Sequence, residues 1–357
     1  MSPGKGPAIA MDLDQPQPDG SKTTRGGPQQ TLKFDREYAK WKEPFGDMAQ
    51  VPPCRTPHEL RRYNEEFTRF AWAQLPPQPS IVRTKHRFMG LGEEIEMERF
   101  ATAEQMSSGR EALQPAILFL HGGGMVAMSV DIYAPRLAQW AAESGMQIFA
   151  VDYRLAPEYM YPIPMEDCYS GLVWLSEHGP ELGVDPARLG LMGDSAGGTL
   201  AASVSLAARD RYLNPPIAKQ ILIYPMLDDR CTVSPSGAAK LSGLKNFASL
   251  SQPIIKMCWE AYLGKEAGNP DERAHTTLYA VPGRAKDLRG LPSTYIDVGG
   301  LDLFRAECAF FAARLAEADV EVEFHLFPGV SHGFEAASEI GVAKRAMEGR
   351  FRWMRDL

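Results

Sequence analysis

The chain has 357 residues, of which 44% are hydrophobic and 23% charged, and its net charge is −7 at pH 7. This composition is typical of a globular protein with a large core, and the acidic balance argues against nucleic acid or an anionic membrane as a partner. The sequence has neither an apolar run of the roughly 18 residues that a membrane span needs nor the basic and apolar segments of a signal peptide, so we expect a cytoplasmic protein.

The first part of the chain combines a polar tail with a helix. Residues 1–32 are rich in proline, glycine and polar residues, a composition that buries too little apolar surface to fold, so we predict a disordered tail. A helix is predicted over 56–75, because Thr56, Pro57 and Glu59 form the pattern of a capping box with proline at the first helical position. Two prolines directly after this segment would end the helix.

From about residue 80 onward, short apolar strands alternate with helices. The first two strands, 81–89 and 95–100, are predicted to form an antiparallel pair. Helices between successive strands are typical of parallel pairing with helices on both faces of the sheet. We therefore predict an α/β fold with a mostly parallel, twisted sheet in one domain, residues 33–357. The other strands are predicted at 116–120, 147–153, 189–192, 217–224, 293–298 and 320–327, and the helices at 132–144, 165–178, 196–209, 303–316 and 335–355.

One stretch, residues 226–290, interrupts this alternation. It is rich in serine, glycine and alanine, and its positions 254–263 have the apolar spacing of an amphipathic helix. An insertion of this length is expected to fold over the sheet and not to hang as a loop. Together with residues 33–78, it is predicted to form a helical cap.

Ser195 is the predicted nucleophile. Residues 193–197 have the pattern G-x-S-x-G, after an apolar strand and before a run of small residues with helical spacing. This is the context of a nucleophile elbow, a tight strand-to-helix turn in which flanking glycines avoid collisions. Because an alkyl hydroxyl is a poor nucleophile at neutral pH, Ser195 requires a base within hydrogen-bonding distance.

His332 and Asp302 are the predicted base and acid. Each follows a strand in a loop that contains glycine, and loops at the carboxyl ends of parallel strands carry the chemistry of open α/β sheets. The imidazole requires a carboxylate that holds its tautomer and offsets its charge during the reaction. Asp297 is the alternative carboxylate, but it lies inside a strand pattern, so Asp302 is favoured.

A second glycine-rich loop is predicted to stabilise the oxyanion of a tetrahedral intermediate. His121 and three glycines follow the strand at 116–120, and glycines allow backbone amides to approach such an oxyanion closely. The predicted donors are the N–H groups of Gly123, Gly124 and, directly after the nucleophile, Ala196. His121 itself is expected to orient this loop and not to react.

Further residues near these motifs have predicted roles in binding or support. Met125 and Met128 follow the oxyanion loop, and their flexible thioethers are expected to line an adaptable apolar substrate pocket. Arg154 and Glu158 are expected to form a buried pair that braces the same loop. Asp194, beside the serine, is expected to form a local hydrogen bond.

The sequence indicates no metal and no cofactor. The glycine-rich stretch around Ser195 lacks the Gly-Lys-Ser/Thr of a phosphate-binding loop, and neither a dinucleotide fingerprint nor a His-Glu-x-x-His zinc motif occurs. The five cysteines are widely spaced and include no C-x-x-C pair, which predicts neither a zinc site nor a disulfide framework. Cys168 and Cys308 are expected to be buried, inert thiols.

Together with Tyr153–Glu158 and His332–Phe334, these motifs resemble the hormone-sensitive-lipase-like (bacterial type IV) family of α/β-hydrolases. In that fold the nucleophile, acid and base follow one another in this order along the chain. The resemblance spans about residues 110–334. It implies a serine carboxylesterase that hydrolyses short- to medium-chain esters without a cofactor, beneath a helical cap. The partner is then a small-molecule ester, and a homodimer is left open.

Two alternatives to ester hydrolysis are also left open by the resemblance. The family includes hydrolases of arylacetamides and formamides, which sequence alone separates poorly from esterases. Plant gibberellin receptors resemble the family but lack the histidine base, so the presence of His332 disfavours a non-catalytic receptor. Met125 and Met128 stand where the family commonly has an aromatic residue and a glycine, which leaves the substrate preference undefined.

Overall fold

The structure of the protein is a computed structural model, which describes residues 32–49, 51–230, 241–269 and 279–357. The predicted disordered tail therefore lies outside the described residues, except for its last position. Two parts of the predicted cap segment 226–290 lie outside them as well.

One mostly parallel sheet organises the described chain. Its strands are β1 (Ile81–Met89), β2 (Glu94–Thr102), β3 (Gln114–Leu120), β4 (Gln147–Val151), β5 (Val184–Asp194), β6 (Lys219–Ile223), β7 (Ser293–Gly299) and β8 (Val322–Phe327). They lie in the order β1-β2-β4-β3-β5-β6-β7-β8. β2 is antiparallel to β1 and to β4, and the other neighbouring pairs are parallel. The predicted α/β sheet with an antiparallel pair at its start is confirmed.

Helices cover both faces of this sheet. They are α1 (Arg36–Lys42), α2 (Pro57–Trp72), α3 (Ala103–Ser107), α4 (Val130–Ser144), α5 (Ile163–His178), α6 (Ala196–Asp210), α7 (Gln252–Leu263), α8 (Arg305–Glu317) and α9 (Gly341–Arg355). All five residues of β4 are buried, and since successive side chains of a strand point to opposite faces, both faces must be covered. α4 packs with α9, and α5 packs with α6.

The start of α2 follows the predicted capping pattern in part. Thr56 Oγ1 accepts a hydrogen bond from the Glu59 N–H at 3.1 Å, and Pro57 occupies the first helical position. The Glu59 carboxylate, however, accepts from the Arg55 N–H and not from the Thr56 N–H. Only one half of the capping box therefore forms, and the helix ends at Trp72, three residues before the predicted end.

The last helix begins later than predicted. Phe334–Ala336 form a separate 3-10 turn, and α9 starts at Gly341. The short helix α3 is not predicted, because five residues are too few for a helical pattern of apolar positions.

The carboxyl ends of β3, β5, β7 and β8 lie at one edge of the sheet, because these strands are parallel. The loops after them contain the predicted oxyanion glycines, Ser195, Asp302 and His332. α2 contacts α4 and α7, so the two segments that are predicted to form the cap meet in the described structure. α7 also coincides with the predicted amphipathic segment.

Candidate active site

Ser195 lies at the turn between β5 and α6, in a strained backbone conformation with φ +54° and ψ −118°. The turn leaves no space for a side chain two positions before or two positions after the serine. A Cβ atom at Gly193 would lie 2.2 Å from the Gly197 carbonyl oxygen, and one at Gly197 would lie 1.9 Å from the Leu120 carbonyl oxygen. The two glycines therefore allow the tight turn that the sequence predicts.

The structure brings Ser195, His332 and Asp302 into one hydrogen-bonded chain. Ser195 Oγ is 3.0 Å from His332 Nε2, and His332 Nδ1 is 2.7 Å from Asp302 Oδ2. With Nδ1 donating to the carboxylate, Nε2 is free to accept the serine proton. Asp302 is held in place because its Oδ1 accepts from the Phe304 N–H at 2.9 Å. The Asp302 side chain is only 1% exposed.

The surroundings of His332 favour its protonated form. Burial opposes a charge on the imidazole, but Asp302, with smaller contributions from Glu335 and Asp194, raises the pKa of His332 above its ordinary value. A raised pKa makes the imidazole a stronger base toward the serine hydroxyl. The ring also packs against Tyr224 and Phe304, whose ring centroids lie 4.4 and 5.2 Å away.

Asp297, the alternative carboxylate, has a structural partner. Its two oxygens accept from Arg350 Nε and Nη2 at 2.7 and 2.9 Å, and both side chains are fully buried. A buried ion pair of this kind is satisfied by its own geometry. Asp302 and not Asp297 therefore contacts His332, as the sequence predicts.

The predicted oxyanion donors lie beside the serine. Gly123 and Gly124 line the same cavity as Ser195, with φ values of +113° and +68°. Neither conformation suits a side chain, since a Cβ at Gly123 would lie 2.3 Å from the Ala127 carbonyl oxygen. Within the described part of the chain, the N–H groups of Gly123, Gly124 and Ala196 have no hydrogen-bond acceptor. These amides are available to a ligand.

Asp194 and His121 hold the oxyanion loop in place. Asp194 accepts from the Gly122 N–H at 3.0 Å and from the Tyr133 hydroxyl at 2.7 Å, so its hydrogen bonds are long-range and the predicted local bond is wrong. His121 Nδ1 donates to the Gly122 carbonyl at 2.8 Å, and its ring stacks on Tyr153 at 4.2 Å. The predicted orienting role of His121 agrees with these contacts. Burial lowers the pKa of His121 and keeps the ring neutral.

The predicted pairing of Arg154 with Glu158 is wrong. Arg154 donates to both oxygens of Asp167 at 2.7 and 2.8 Å, because this fully buried carboxylate on α5 requires a cation. Glu158 instead accepts two hydrogen bonds from Arg61 of α2, at 2.6 and 2.8 Å. Arg61 holds the pKa of Glu158 down to about 2. The Glu158 carboxylate thus pairs with a residue of the predicted cap and not with Arg154.

A cavity of about 540 Å³ opens above Ser195. Met128 lines it, whereas Met125 is fully buried in the core and does not line it. The prediction that both methionines form the pocket is therefore wrong for Met125, which packs in the hydrophobic core. Other lining residues are aromatic or aliphatic side chains of the two predicted cap segments, among them Trp41, Leu60, Tyr63, Phe67, Trp72, Leu250 and Ile254.

Sequence reasoning also missed a buried network behind His332. The Tyr38 hydroxyl lies 2.7 Å from Ser331 Oγ, which lies 2.8 Å from Ser249 Oγ, and the latter donates to the His332 carbonyl at 3.1 Å. Tyr38 and Ser331 are 293 positions apart. No pattern of adjacent residues indicates such a contact.

Other predicted features concern thiols and metal ligands. Cys168 and Cys308 are buried, free thiols, and burial raises the pKa of both, as expected for inert cysteines. Among the described residues, no group of three or more histidine, cysteine, aspartate or glutamate side chains has the arrangement of a metal site. No helix in that part of the chain is long and apolar enough to cross a membrane.

Comparisons with known proteins agree with this fold. A family model for the alpha/beta hydrolase fold matches residues 117–336. The chain is 36% identical over 228 residues to the esterase LipI of Mycobacterium tuberculosis, an alignment that covers 63% of this chain and 67% of LipI. Over 151 residues it is 37% identical to the hormone-sensitive lipase of Mus musculus, and this alignment covers 42% of this chain and 19% of the lipase.

A solved structure extends the similarity over most of the chain. The structure of a bacterial heroin esterase matches with a TM-score of 0.78 at 32% sequence identity. The match covers 91% of this chain and 98% of that esterase. The chain thus spans nearly the whole of that esterase, about two thirds of LipI and about a fifth of the mouse lipase.

Proposed function

The chain belongs to the hormone-sensitive-lipase-like family of α/β-hydrolases, which are serine ester hydrolases, and from this premise we propose that it is a carboxylesterase acting on short- to medium-chain esters. Ser195 is the nucleophile, His332 the base and Asp302 the acid. The observation that carries the proposal is the continuous hydrogen-bonded chain from Ser195 Oγ through His332 to Asp302.

The reaction proceeds in two steps through an acyl-enzyme. His332 Nε2 accepts the proton of Ser195 Oγ as this oxygen attacks the ester carbonyl, and the resulting imidazolium is stabilised by Asp302. Collapse of the tetrahedral intermediate breaks the bond to the alkoxy group, which leaves as an alcohol with the proton from His332. Water then attacks the acyl-enzyme with His332 again as base, and the acid is released from Ser195.

The amides of Gly123, Gly124 and Ala196 are proposed to donate hydrogen bonds to the oxyanion. Their lack of acceptors in the described chain supports this role, as does their place on the wall of the cavity or at the start of α6. Amides that already point at the developing charge need no reorganisation during the reaction. Each donor of this type typically contributes about 10²- to 10³-fold in rate.

The segments 33–78 and 226–290 are proposed to form the cap that selects the ester. Their described residues supply most of the aromatic and aliphatic side chains of the cavity, and Met128 adds a flexible thioether. A cavity of about 540 Å³ is in the range of small-molecule sites and suits acyl or alcohol groups of modest length. The substrate is thus a small-molecule ester with a substantial apolar part.

The experiment compares Ser195→Ala with wild type on p-nitrophenyl acetate and butyrate. We expect the variant to lose nearly all hydrolysis, while Ser170→Ala, on α5 and outside the cavity, serves as the matched control and keeps it. A fluorophosphonate should label wild type and the control but not Ser195→Ala. Near-normal turnover by Ser195→Ala would refute the proposal. Matched ester and anilide substrates decide between ester and amide hydrolysis.

Two expectations from the sequence stay predictions. These are the cytoplasmic location and the homodimer, neither of which rests on a contact within the described chain. Size-exclusion chromatography with light scattering measures the oligomeric state directly.

A further inference from the structure

The charged side chains that line the cavity are mainly positive, although the whole chain is acidic. Within the described ranges, they are Lys42, Arg136 and Glu335, besides His332. The net charge of the protein is −7, so the excess of positive side chains in this cavity is opposite in sign to that of the whole chain. A cleft with low-dielectric walls focuses the field of such charges and attracts ligands of the opposite sign.

Arg136 is a buried cation without a carboxylate partner in the described part of the chain. It lies on α4 and is 6% exposed. Its guanidinium donates one hydrogen bond, at 3.0 Å, to the neutral Gln139 side chain and lies 5.5 Å from the Trp72 ring. Burial lowers the pKa of Arg136. The protein groups around the guanidinium therefore stabilise its charge less well than water would. Donors of the guanidinium are left for a ligand.

Lys42, on α1, likewise has aromatic neighbours in place of a counter-ion in the described structure. Its Nζ lies 5.0 Å from the Phe34 ring centroid and 5.5 Å from that of Tyr38. Burial lowers the pKa of Lys42 as well. Within the residues that the structure describes, no carboxylate forms an ion pair with this lysine.

Glu335 is the one carboxylate among the lining residues that the structure describes, and it has partners of its own. It accepts a hydrogen bond from the Tyr224 hydroxyl, and its Oε2 lies 3.8 Å from Nη1 of Arg350. It acts on Arg136 through space and without an ion pair between them. Glu335 therefore offsets part of the positive potential but accepts no hydrogen bond from Arg136 in the described structure.

We propose that the substrate ester carries a carboxylate, that Arg136 binds this carboxylate, and that Lys42 adds to the positive potential of the cavity. The proposal rests on the ester hydrolysis proposed above and narrows its substrates to esters with an anionic group on the acyl or the alcohol side. A guanidinium suits a carboxylate because it offers two parallel N–H donors. The apolar lining then contacts the chain between the carboxylate and the ester bond.

The test uses two series of matched substrates. The acyl series contains monoethyl succinate, glutarate and adipate, each beside the neutral ester in which a carboxamide replaces the carboxylate. The alcohol series contains O-acetyl derivatives of hydroxy acids of increasing length, again beside their carboxamides. The readout is the ratio of kcat/KM for the carboxylate to that for the carboxamide, which cancels effects common to both.

In one of the two series, at the best chain length, we expect this ratio to be about 10 or more. This is the size of effect expected for a charge-assisted hydrogen bond. Arg136→Gln should lower the ratio by about 10- to 100-fold, and Arg136→Lys, which keeps the charge but not the fork, should lower it less. Lys42→Met should also lower it, while Lys40→Met, an exposed lysine on the same helix, should not.

Two results would overturn the inference. One is a wild-type ratio at or below one for every chain length in both series. This measurement uses wild type alone, so it does not depend on whether Arg136→Gln folds. The other is a high ratio that Arg136→Lys and Arg136→Gln, both folded, leave unchanged. Failure of the proposed function is a different outcome, because wild type would then hydrolyse neither series nor p-nitrophenyl butyrate.

Discussion

The Asp194 carboxylate, one residue before Ser195, accepts a hydrogen bond from the Gly122 amide at 3.0 Å, 72 positions earlier in the chain. The same carboxylate accepts from the Tyr133 hydroxyl at 2.7 Å. The turn that presents the nucleophile is thereby tied to the loop that presents the oxyanion donors. A shift in one would move the other.

Asp194→Asn should weaken this connection. An amide retains one acceptor oxygen, so one of its two donors loses a partner, which costs about 1–3 kcal/mol of stability. Since Gly122 would then be less well held, we expect kcat to fall and KM for a small ester to change little. Stopped-assay kinetics with p-nitrophenyl acetate and urea unfolding measure the two effects, and an unchanged kcat would contradict the expectation.

The same substitution isolates a pH effect on stability. Burial raises the pKa of Asp194 to about 6, above its value in the unfolded chain, so the folded state binds this proton more tightly. The contribution of Asp194 to the free energy of unfolding is therefore fully present below the unfolded pKa and is lost as the pH rises through about 6. The loss amounts to at most about 3 kcal/mol for a shift of this size. Unfolding free energies of wild type minus Asp194→Asn should decrease from pH 4.5 to 7.5, and a difference that increases would be inconsistent with a raised pKa.

Gly124→Ala should lower kcat, whereas an alanine at a glycine of similar φ outside the site should lower only stability. The alanine Cβ would lie 2.5 Å from Cys258 Sγ, at a φ of +68°, so the loop must move and its amides with it. We expect a loss of about 10²- to 10³-fold in kcat. Gly145→Ala is the matched control, because its φ of +73° is similar but its Cβ would meet nothing within 4 Å. The control should lose about 1 kcal/mol of stability and keep its kcat.

Asp302→Asn should change both the rate and its pH dependence. Loss of the carboxylate removes the partner that holds the His332 tautomer, for which we expect a fall of about 10⁴-fold in kcat. His332 must be neutral to accept the serine proton, and its pKa is raised above 6.5 in the wild type, so activity should increase with pH through a midpoint above 6.5. The variant loses the largest contribution that raises the pKa of His332 and keeps the burial that lowers it, so the residual kcat/KM should have its acid midpoint at lower pH.

Arg61→Met should loosen α2 from the body of the molecule. Arg61 donates to the Val126 and Ala156 carbonyls at 2.6 and 2.8 Å, in addition to its bonds with Glu158. We expect faster proteolysis of α2, a higher KM and a loss of about 1–3 kcal/mol of stability. Arg62→Met, at the next and exposed position, is the control. Equal behaviour of the two variants would show that these contacts do not hold the helix.

Much of the fold and of the candidate site follows from local pattern. The central strands β3, β4, β6 and β7 contain short apolar runs, since burial on both faces of a sheet demands such runs. The residues directly around Ser195, Asp302 and His332 predict their roles, because a strand end, a glycine and a reactive side chain are neighbours in sequence. The structure places these three side chains within hydrogen-bonding distance.

The partners of charged and polar side chains were decided only by the tertiary structure. Arg154 binds Asp167 and not Glu158, Asp194 reaches Gly122 and Tyr133, and Tyr38 contacts Ser331. Sequence spacing predicts contacts along a helix or a strand, but these pairs form where separate elements pack together. Which of these groups meet is set by the packing of separate elements, and no local pattern contains those distances.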